Sequence, residues 1–206
     1  MKNKLLIIGA SGHGKVVADI AVKMERWQEI AFLDDDESIT TSMGFDVIGS
    51  SDEALKYIDD YEIFIGIGNN DIRQKVQENL EINGAIIPVL THPNIAIGEQ
   101  VEVGAGTVVM AGAVVNCCTK IGKGCIINTG STIDHDNCIE DFVHISPGAH
   151  LAGTVKVGRG SWLGIGSIVS NNINIPNGCK IGAGAVVVKN ITQSGVYVGT
   201  PAKRLD

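Results

Sequence analysis

The groups best able to do chemistry are concentrated between Thr129 and Gly148. Asp134-His135-Asp136 sets an imidazole between two carboxylates, and Phe142-Val143-His144-Ile145-Ser146-Pro147-Gly148 follows closely. An imidazole held by a carboxylate is oriented and made more basic, which suits a general base working near neutral pH. A second group lies near the start of the chain. Gly9-Ala10-Ser11-Gly12-His13-Gly14 stands between a strand-like run, Lys4 to Ile8, and a helix-like run, Lys15 to Trp27. In parallel α/β folds such a loop binds phosphate on backbone N–H groups at a helix N-terminus. Its G-x-x-G-x-G spacing is not that of the dinucleotide folds. Asp34 or Asp35, ending the second strand, would accept hydrogen bonds from a ribose or a base.

Two kinds of framework must position these groups. From Ile97 to Val187 every sixth residue is isoleucine, leucine or valine, and a second series four residues further on, Val101 to Ile191, is mostly small or aliphatic. A period of six fits short strands joined by tight turns, with one apolar side chain per strand pointing into a narrow prism. Stacked rungs build a continuous core from repeats that would not fold singly. On this pattern His135, between the anchors Ile133 and Ile139, projects outward at a turn, and His144 also lies outside, just before Ile145. The two histidines are nine residues apart, which places them on different faces, able to meet only across a subunit interface.

The first ninety residues have another rhythm. Strands are expected over Lys4 to Ile8, Glu29 to Leu33, Ile63 to Ile67 and Ala85 to Leu90. Helical stretches are expected over Lys15 to Trp27, Asp52 to Ile58 and Asp71 to Asn83. Alternation of this kind means a parallel sheet with right-handed crossovers. The expected organisation is a Rossmann-like α/β domain over residues 1–92, a β-solenoid over 93–190 and a C-terminal tail over 191–206, with His92-Pro93 at the junction.

The 206 residues suffice for a real core, and an aromatic content of 4% suits a thin interior filled by isoleucine and valine. A net charge of −7 gives no footing for nucleic acid or an anionic membrane surface. Lys2 and Lys4 lead directly into Leu5 to Ile8 rather than into a secretory leader, and no apolar stretch is long enough to span a bilayer. Five cysteines are an odd count without metal-type spacing and read as reduced thiols, so a cytoplasmic location is expected.

The hexad pattern resembles the left-handed parallel β-helix of the hexapeptide-repeat acyltransferases, which implies that handedness and three hexads per coil. Gly9-Ala10-Ser11-Gly12-His13-Gly14, Phe32-Leu33-Asp34-Asp35, Ile67-Gly68-Asn69-Asn70, Asp134-His135-Asp136 and Gly199-Thr200-Pro201-Ala202-Lys203 together resemble the bacterial PglD/NeuD group of sugar acetyltransferases. The resemblance implies acetyl-CoA-dependent N-acetylation of a nucleotide-linked amino sugar, of the UDP-4-amino-sugar type, in bacterial glycan synthesis. Ser11, Gly12, His13, Asp34, Asp35 and Gly68 would hold the nucleotide, with Asn128 close to the sugar. His135 matches the catalytic base and Asp136 its acidic neighbour, where a member of the group has glutamate. His144 would lie near the acetyl group of acetyl-CoA, and Ile165 and Ala183 would contact the pantetheine arm through the backbone. Lys189, Lys203 or Arg204 would serve the CoA phosphates. The resemblance also implies a homotrimer with active sites between subunits, direct transfer, and no metal. Sugar or sialic acid O-acetylation is the nearest alternative. A γ-carbonic-anhydrase-like zinc enzyme is another, because His150, six residues after His144, reads as stacked on it.

Overall fold

The computed structural model describes residues 2–205, which divide after Pro93 into two compact units. The first unit is built on three parallel strands, β1 (Lys4–Ile8), β2 (Glu29–Leu33) and β5 (Glu62–Ile65), in the order β2-β1-β5. All three are buried over most of their length, which is why they read as continuous apolar runs rather than alternating ones. One face packs Leu6, Ile8, Leu33, Ile63 and Ile65 with Ala54 of a 3₁₀ helix, Ser51–Tyr57, and with Leu80 of α2, Asn70–Ile82. A short hairpin, β3 (Thr41–Ser42) and β4 (Phe45–Asp46), turns through the left-handed pair Met43-Gly44.

Three expectations for this unit need correction. Helix α1 spans Gly12–Lys23, starting inside the glycine loop and ending before Glu25, which takes a left-handed conformation. The early start depends on Gly14, where a Cβ would lie 1.8 Å from the carbonyl oxygen of Gly9. The helix expected over Asp52 to Ile58 is the 3₁₀ helix Ser51–Tyr57 rather than an α-helix, with Ile58 as its C-cap. The strand expected over Ala85 to Leu90 is absent at 85–89, and Leu90 only begins the two-residue β6 (Leu90–Thr91): Ile86 accepts one backbone bond, from Ile63 N, but Pro88 has no N–H to continue a ladder.

The second unit is the parallel β-helix. Two-residue strands recur every six residues from Ala96–Ile97 to Val186–Val187, and those inside the stack pair with strands eighteen residues before and after, as Val115 with Ile133 and Ile133 with Leu151. Three strands therefore make one coil, and strands of successive coils stack into three faces. The first face carries Val114–Val115, Thr132–Ile133, His150–Leu151 and Ile168–Val169; the second carries Lys120–Ile121, Cys138–Ile139 and Lys156–Val157. The third carries Ile126–Ile127, His144–Ile145, Trp162–Leu163 and Lys180–Ile181. The tail continues this third face, with Val196–Val198 parallel to Lys180–Ile181 and Lys203–Arg204 folding back antiparallel.

Both six-residue series point inward. Val115, Ile121, Ile127, Ile133, Ile139, Ile145 and Leu151 are all at most 4% exposed, each contributing roughly 1.5–3 kcal/mol by burial. Thr107, Thr119, Ser131, Asn137 and Ser161 of the second series bond to turn carbonyls from inside, which is how they stay buried. Asn137 is the most connected. Its Nδ2 donates to the carbonyls of Asp134 at 2.6 Å and Ala152 at 3.0 Å, and its Oδ1 accepts from Val155 N at 3.1 Å. Thr119 Oγ1 adds a bond to the Asp134 carbonyl at 2.9 Å. Among the described residues no helix is long and apolar enough to cross a membrane.

Replacing Asn137 by alanine removes the side-chain partners of the Ala152 carbonyl and the Val155 N–H and leaves the Asp134 carbonyl with Thr119 as its remaining side-chain donor. The expected loss is about 1–3 kcal/mol of unfolding free energy in denaturant titration, with the fold retained.

Candidate functional site

The turn carrying His135 joins the first face to the second. Asp136 occupies its left-handed position, with φ 57°, which recurs every six residues and is filled by glycine at Gly124, Gly130 and Gly148. An acidic side chain there accepts a strained backbone slot. Its return is geometric: Asp136 Oδ2 lies 2.8 Å from Nδ1 of His135. With the carboxylate accepting at Nδ1, the proton of the neutral ring sits there and the Nε2 lone pair is free to act as a base. The Asp136 hydrogen bond, helped by the negative charges of Asp134 and Asp136, holds the His135 pKa above the usual imidazole range. Asp134 is tied differently. Its Oδ1 accepts from Asn116 Nδ2 and from the His135 amide, both at 2.9 Å, and these bonds keep its carboxyl below the usual range. A cleft of about 380 Å³ opens beside His135, bounded by Asp134, Thr154 and Asn172. A second of about 400 Å³, along the first face, shares Asp134 and Ala152 with it and reaches His150 and Ile168.

His144 stands on the third face, so within one chain it does not meet His135. The structure does bring it to Asn128, whose Nδ2 lies 3.1 Å from His144 Nε2. Asn128 Oδ1 accepts from Thr129 N at 2.8 Å, which fixes the amide so that its NH₂ faces the ring. His144 Nε2 then accepts, and its proton belongs on Nδ1. One rung further, the Trp162 indole stacks on His144 with centroids 5.8 Å apart and planes within 9°, and its Nε1 donates to Ser146 Oγ at 2.6 Å. Ile165 and Ala183 are exposed and occupy successive rungs at the turn from the third face to the first, where Gly184 N donates to the Ile165 carbonyl at 2.8 Å.

His150 is not stacked on His144. With three hexads per coil, six residues lead to the next face, and His150 instead lies against Thr132, Nδ1 to Oγ1 at 2.9 Å. Among the described residues no group of three or more His, Cys, Asp or Glu side chains converges as metal ligands would.

In the first unit, Ser11 precedes α1 without a side-chain cap. Positions 12 and 68 face open space: a Cβ at either glycine would have no neighbouring atom within 4 Å. His13 lies on the first turn, its Nε2 enclosed with no hydrogen-bond partner among the described residues. Burial, and then the nearby Arg73 cation, push its pKa down to about 4, so the ring is neutral at pH 7. The two aspartates expected to meet a ribose or base are engaged within the chain. Asp34 accepts from Ala10 N at 2.6 Å and Asp36 N at 3.0 Å, closing the glycine loop, and Asp35 accepts from Ser51 N at 2.9 Å.

Sequence reasoning passed over three contributors. Arg73, 1% exposed, braces the turn after β5 through the Ile67 and Gly68 carbonyls and Asn70 Oδ1. Asn137 and Trp162 act through contacts made across coils, and the interval of eighteen is the signal that would have found them. Lys203 and Arg204 lie in the terminal hairpin, where Arg204 Nη1 donates to Gln193 Oε1 at 2.6 Å.

With this geometry in view, a model of the PglD N-terminal domain matches residues 4–80. The chain is similar throughout to the acetyltransferase domain of PglB from Neisseria gonorrhoeae FA1090, solved with acetyl coenzyme A. The two are 40% identical, with a TM-score of 0.96 and 100% of each chain covered. It is 32% identical to PerB from Caulobacter crescentus, solved with CoA and GDP-perosamine, with a TM-score of 0.93, over 98% of this chain and 97% of that one. It is 35% identical to the UDP-N-acetylbacillosamine N-acetyltransferase of Bacillus subtilis (strain 168), over 54% of this chain and 52% of the relative.

The imidazole of His135 is expected to titrate above 6.5, the ordinary value, in nitrogen-detected NMR. Asp136→Gly relieves the left-handed slot while deleting the carboxylate. It should move that midpoint down and leave the melting temperature unchanged or higher.

Proposed function

The chain belongs to the PglD/NeuD-type hexapeptide-repeat sugar acetyltransferases, and on that premise we propose that it transfers the acetyl group of acetyl-CoA to the amine of a nucleotide-linked amino sugar. Acetyl-CoA is the co-substrate, as the complexes of its relatives with acetyl-CoA and CoA indicate. The observation that carries the mechanism is the His135–Asp136 pair, an outward imidazole with Nδ1 engaged and Nε2 toward a cleft.

In this reading the acceptor arrives as an ammonium and first loses one proton to solvent. The amine nitrogen adds to the thioester carbonyl carbon while His135 Nε2 takes the remaining displaced proton. The tetrahedral intermediate then collapses, the C–S bond breaks, and the proton passes from His135 to the departing CoA sulfur. No cysteine is needed as an acyl carrier. His144, with its proton on Nδ1 and its plane fixed by Asn128 and Trp162, serves the acetyl group, and Ile165 and Ala183 line the path of the pantetheine arm. The glycine loop, with Ser11, Gly12, His13 and Gly68, holds the nucleotide. Asp34 and Asp35 shape that loop through their backbone bonds. The relatives include both nucleotide types, a UDP-sugar acetyltransferase matched over 54% of this chain and PerB, solved with GDP-perosamine, matched over 98%, so the choice between uridine and guanosine diphosphate belongs to the acceptor assay.

The separation of His135 and His144 on one chain supports a cyclic homotrimer whose sites take His135 from one β-helix and His144 from its neighbour. A cytoplasmic location is part of the same proposal, supported by five free cysteines.

Two experiments test this. Thiol release from acetyl-CoA is followed with UDP- and GDP-linked amino sugars and with free sialic acids as acceptors. Turnover on a nucleotide-linked amino sugar, lost in His135→Ala, is expected; turnover confined to a sialic acid hydroxyl would replace the proposal with O-acetylation. Inactive His135→Ala and His144→Ala proteins, mixed after subunit exchange, should recover up to about a quarter of wild-type activity if each site is shared between subunits, and none if it is not.

A further inference from the structure

We infer that Gly153 is a positioning residue for His135, its missing side chain leaving the volume in which the Nε2 edge of the imidazole rests. This rests on the reading of His135 as the base. Position 153 is the next rung at the same turn, and Thr154 N donates to the His135 carbonyl at 3.0 Å. A Cβ placed at Gly153 would lie 2.6 Å from His135 Cε1, 2.7 Å from Nε2 and 3.3 Å from Cδ2, and these are the three nearest atoms.

Other glycines of the β-helix have different reasons to be glycine. At Gly98, Gly104 and Gly164 a Cβ would strike the backbone of the next coil, at 2.6 Å in each case. Gly112, Gly130 and Gly148 occupy left-handed turn positions, with φ between 62° and 70°. Gly153 belongs to neither group: it is not among the residues with positive φ, and what a side chain would meet there is the far end of one exposed histidine. Neither the turn nor the stacking of coils asks for glycine at this place; the ring does. An alanine methyl would force His135 to swing about its side-chain torsions. That movement breaks the 2.8 Å bond to Asp136 and takes Nε2 away from the cleft bounded by Asp134 and Asn172.

The test is Gly153→Ala in the full chain, assayed with acetyl-CoA and the accepted nucleotide sugar. The expected result is a kcat lower by roughly ten- to a hundred-fold, as for a misplaced reacting group, with an unchanged melting temperature. KM values should stay within about two-fold, because ground-state binding is not touched. The NMR midpoint of His135 should fall toward its ordinary value. In a His135→Ala background, adding Gly153→Ala should change kcat no further, since both act through one side chain. A Gly153→Ala enzyme with wild-type kcat, beside an inactive His135→Ala enzyme, would overturn the inference and leave the base intact. An active His135→Ala enzyme would instead remove the base and the inference together. If Gly153→Ala does not fold, the double variant decides: folding restored by removing the ring supports the assignment, and continued misfolding overturns it.

Discussion

The eighteen-residue register of the β-helix is the constraint on which the second unit depends. Backbone groups of the strands pair with the coil before or after, so side chains inside the stack acquire fixed neighbours on both sides. That is how residues remote in sequence become a site. Asn128, His144 and Trp162 form one outward column, and the chain need not fold back in any special way to assemble them. The same register stacks the turn of Asp134 to Asp136 between neighbouring turns that fix its backbone.

Rigidity at the His135 turn is supplied from inside the prism. Asn137 and Thr119 are buried polar residues in a core otherwise made largely of isoleucine, leucine and valine, and both donate to the carbonyl of Asp134. A carbonyl held by two donors cannot rotate freely, so the peptide leading into His135 is pinned before the imidazole meets Asp136. The exposed face of the turn is free to be chosen for chemistry. Asp136 illustrates this division, a carboxylate at a left-handed position that elsewhere in the helix is often glycine. Local backbone strain is tolerated there because the surrounding rungs determine the conformation.

The α/β unit solves a different problem. Its loops after β1 and β5 are each braced by a charged residue from another segment. Asp34 reaches Ala10 N from the end of β2, and Arg73 clamps the turn after β5 from within α2. Burial keeps His13 neutral, so it offers the loop a hydrogen-bonding group rather than a charge.

Periodicity alone determined much of this protein. A hexad of aliphatic residues has one low-energy arrangement, an inward column, so the positions of Ile133 and Ile139 suffice to put His135 outside and at a turn. The alternation in the first ninety residues likewise specified a parallel sheet, though Pro88 removed the fourth strand by lacking a donor. The number of hexads per coil is different, since an isoleucine every six residues satisfies any solenoid cross-section equally well. Only the closed coil decides that the partner of residue i is residue i + 18. That interval separates His144 from His150, seats Trp162 on His144, and sets Gly153 beneath the imidazole. Side-chain roles that depend on stacking were therefore invisible in the linear chain, whereas those that depend on facing in or out were legible from it.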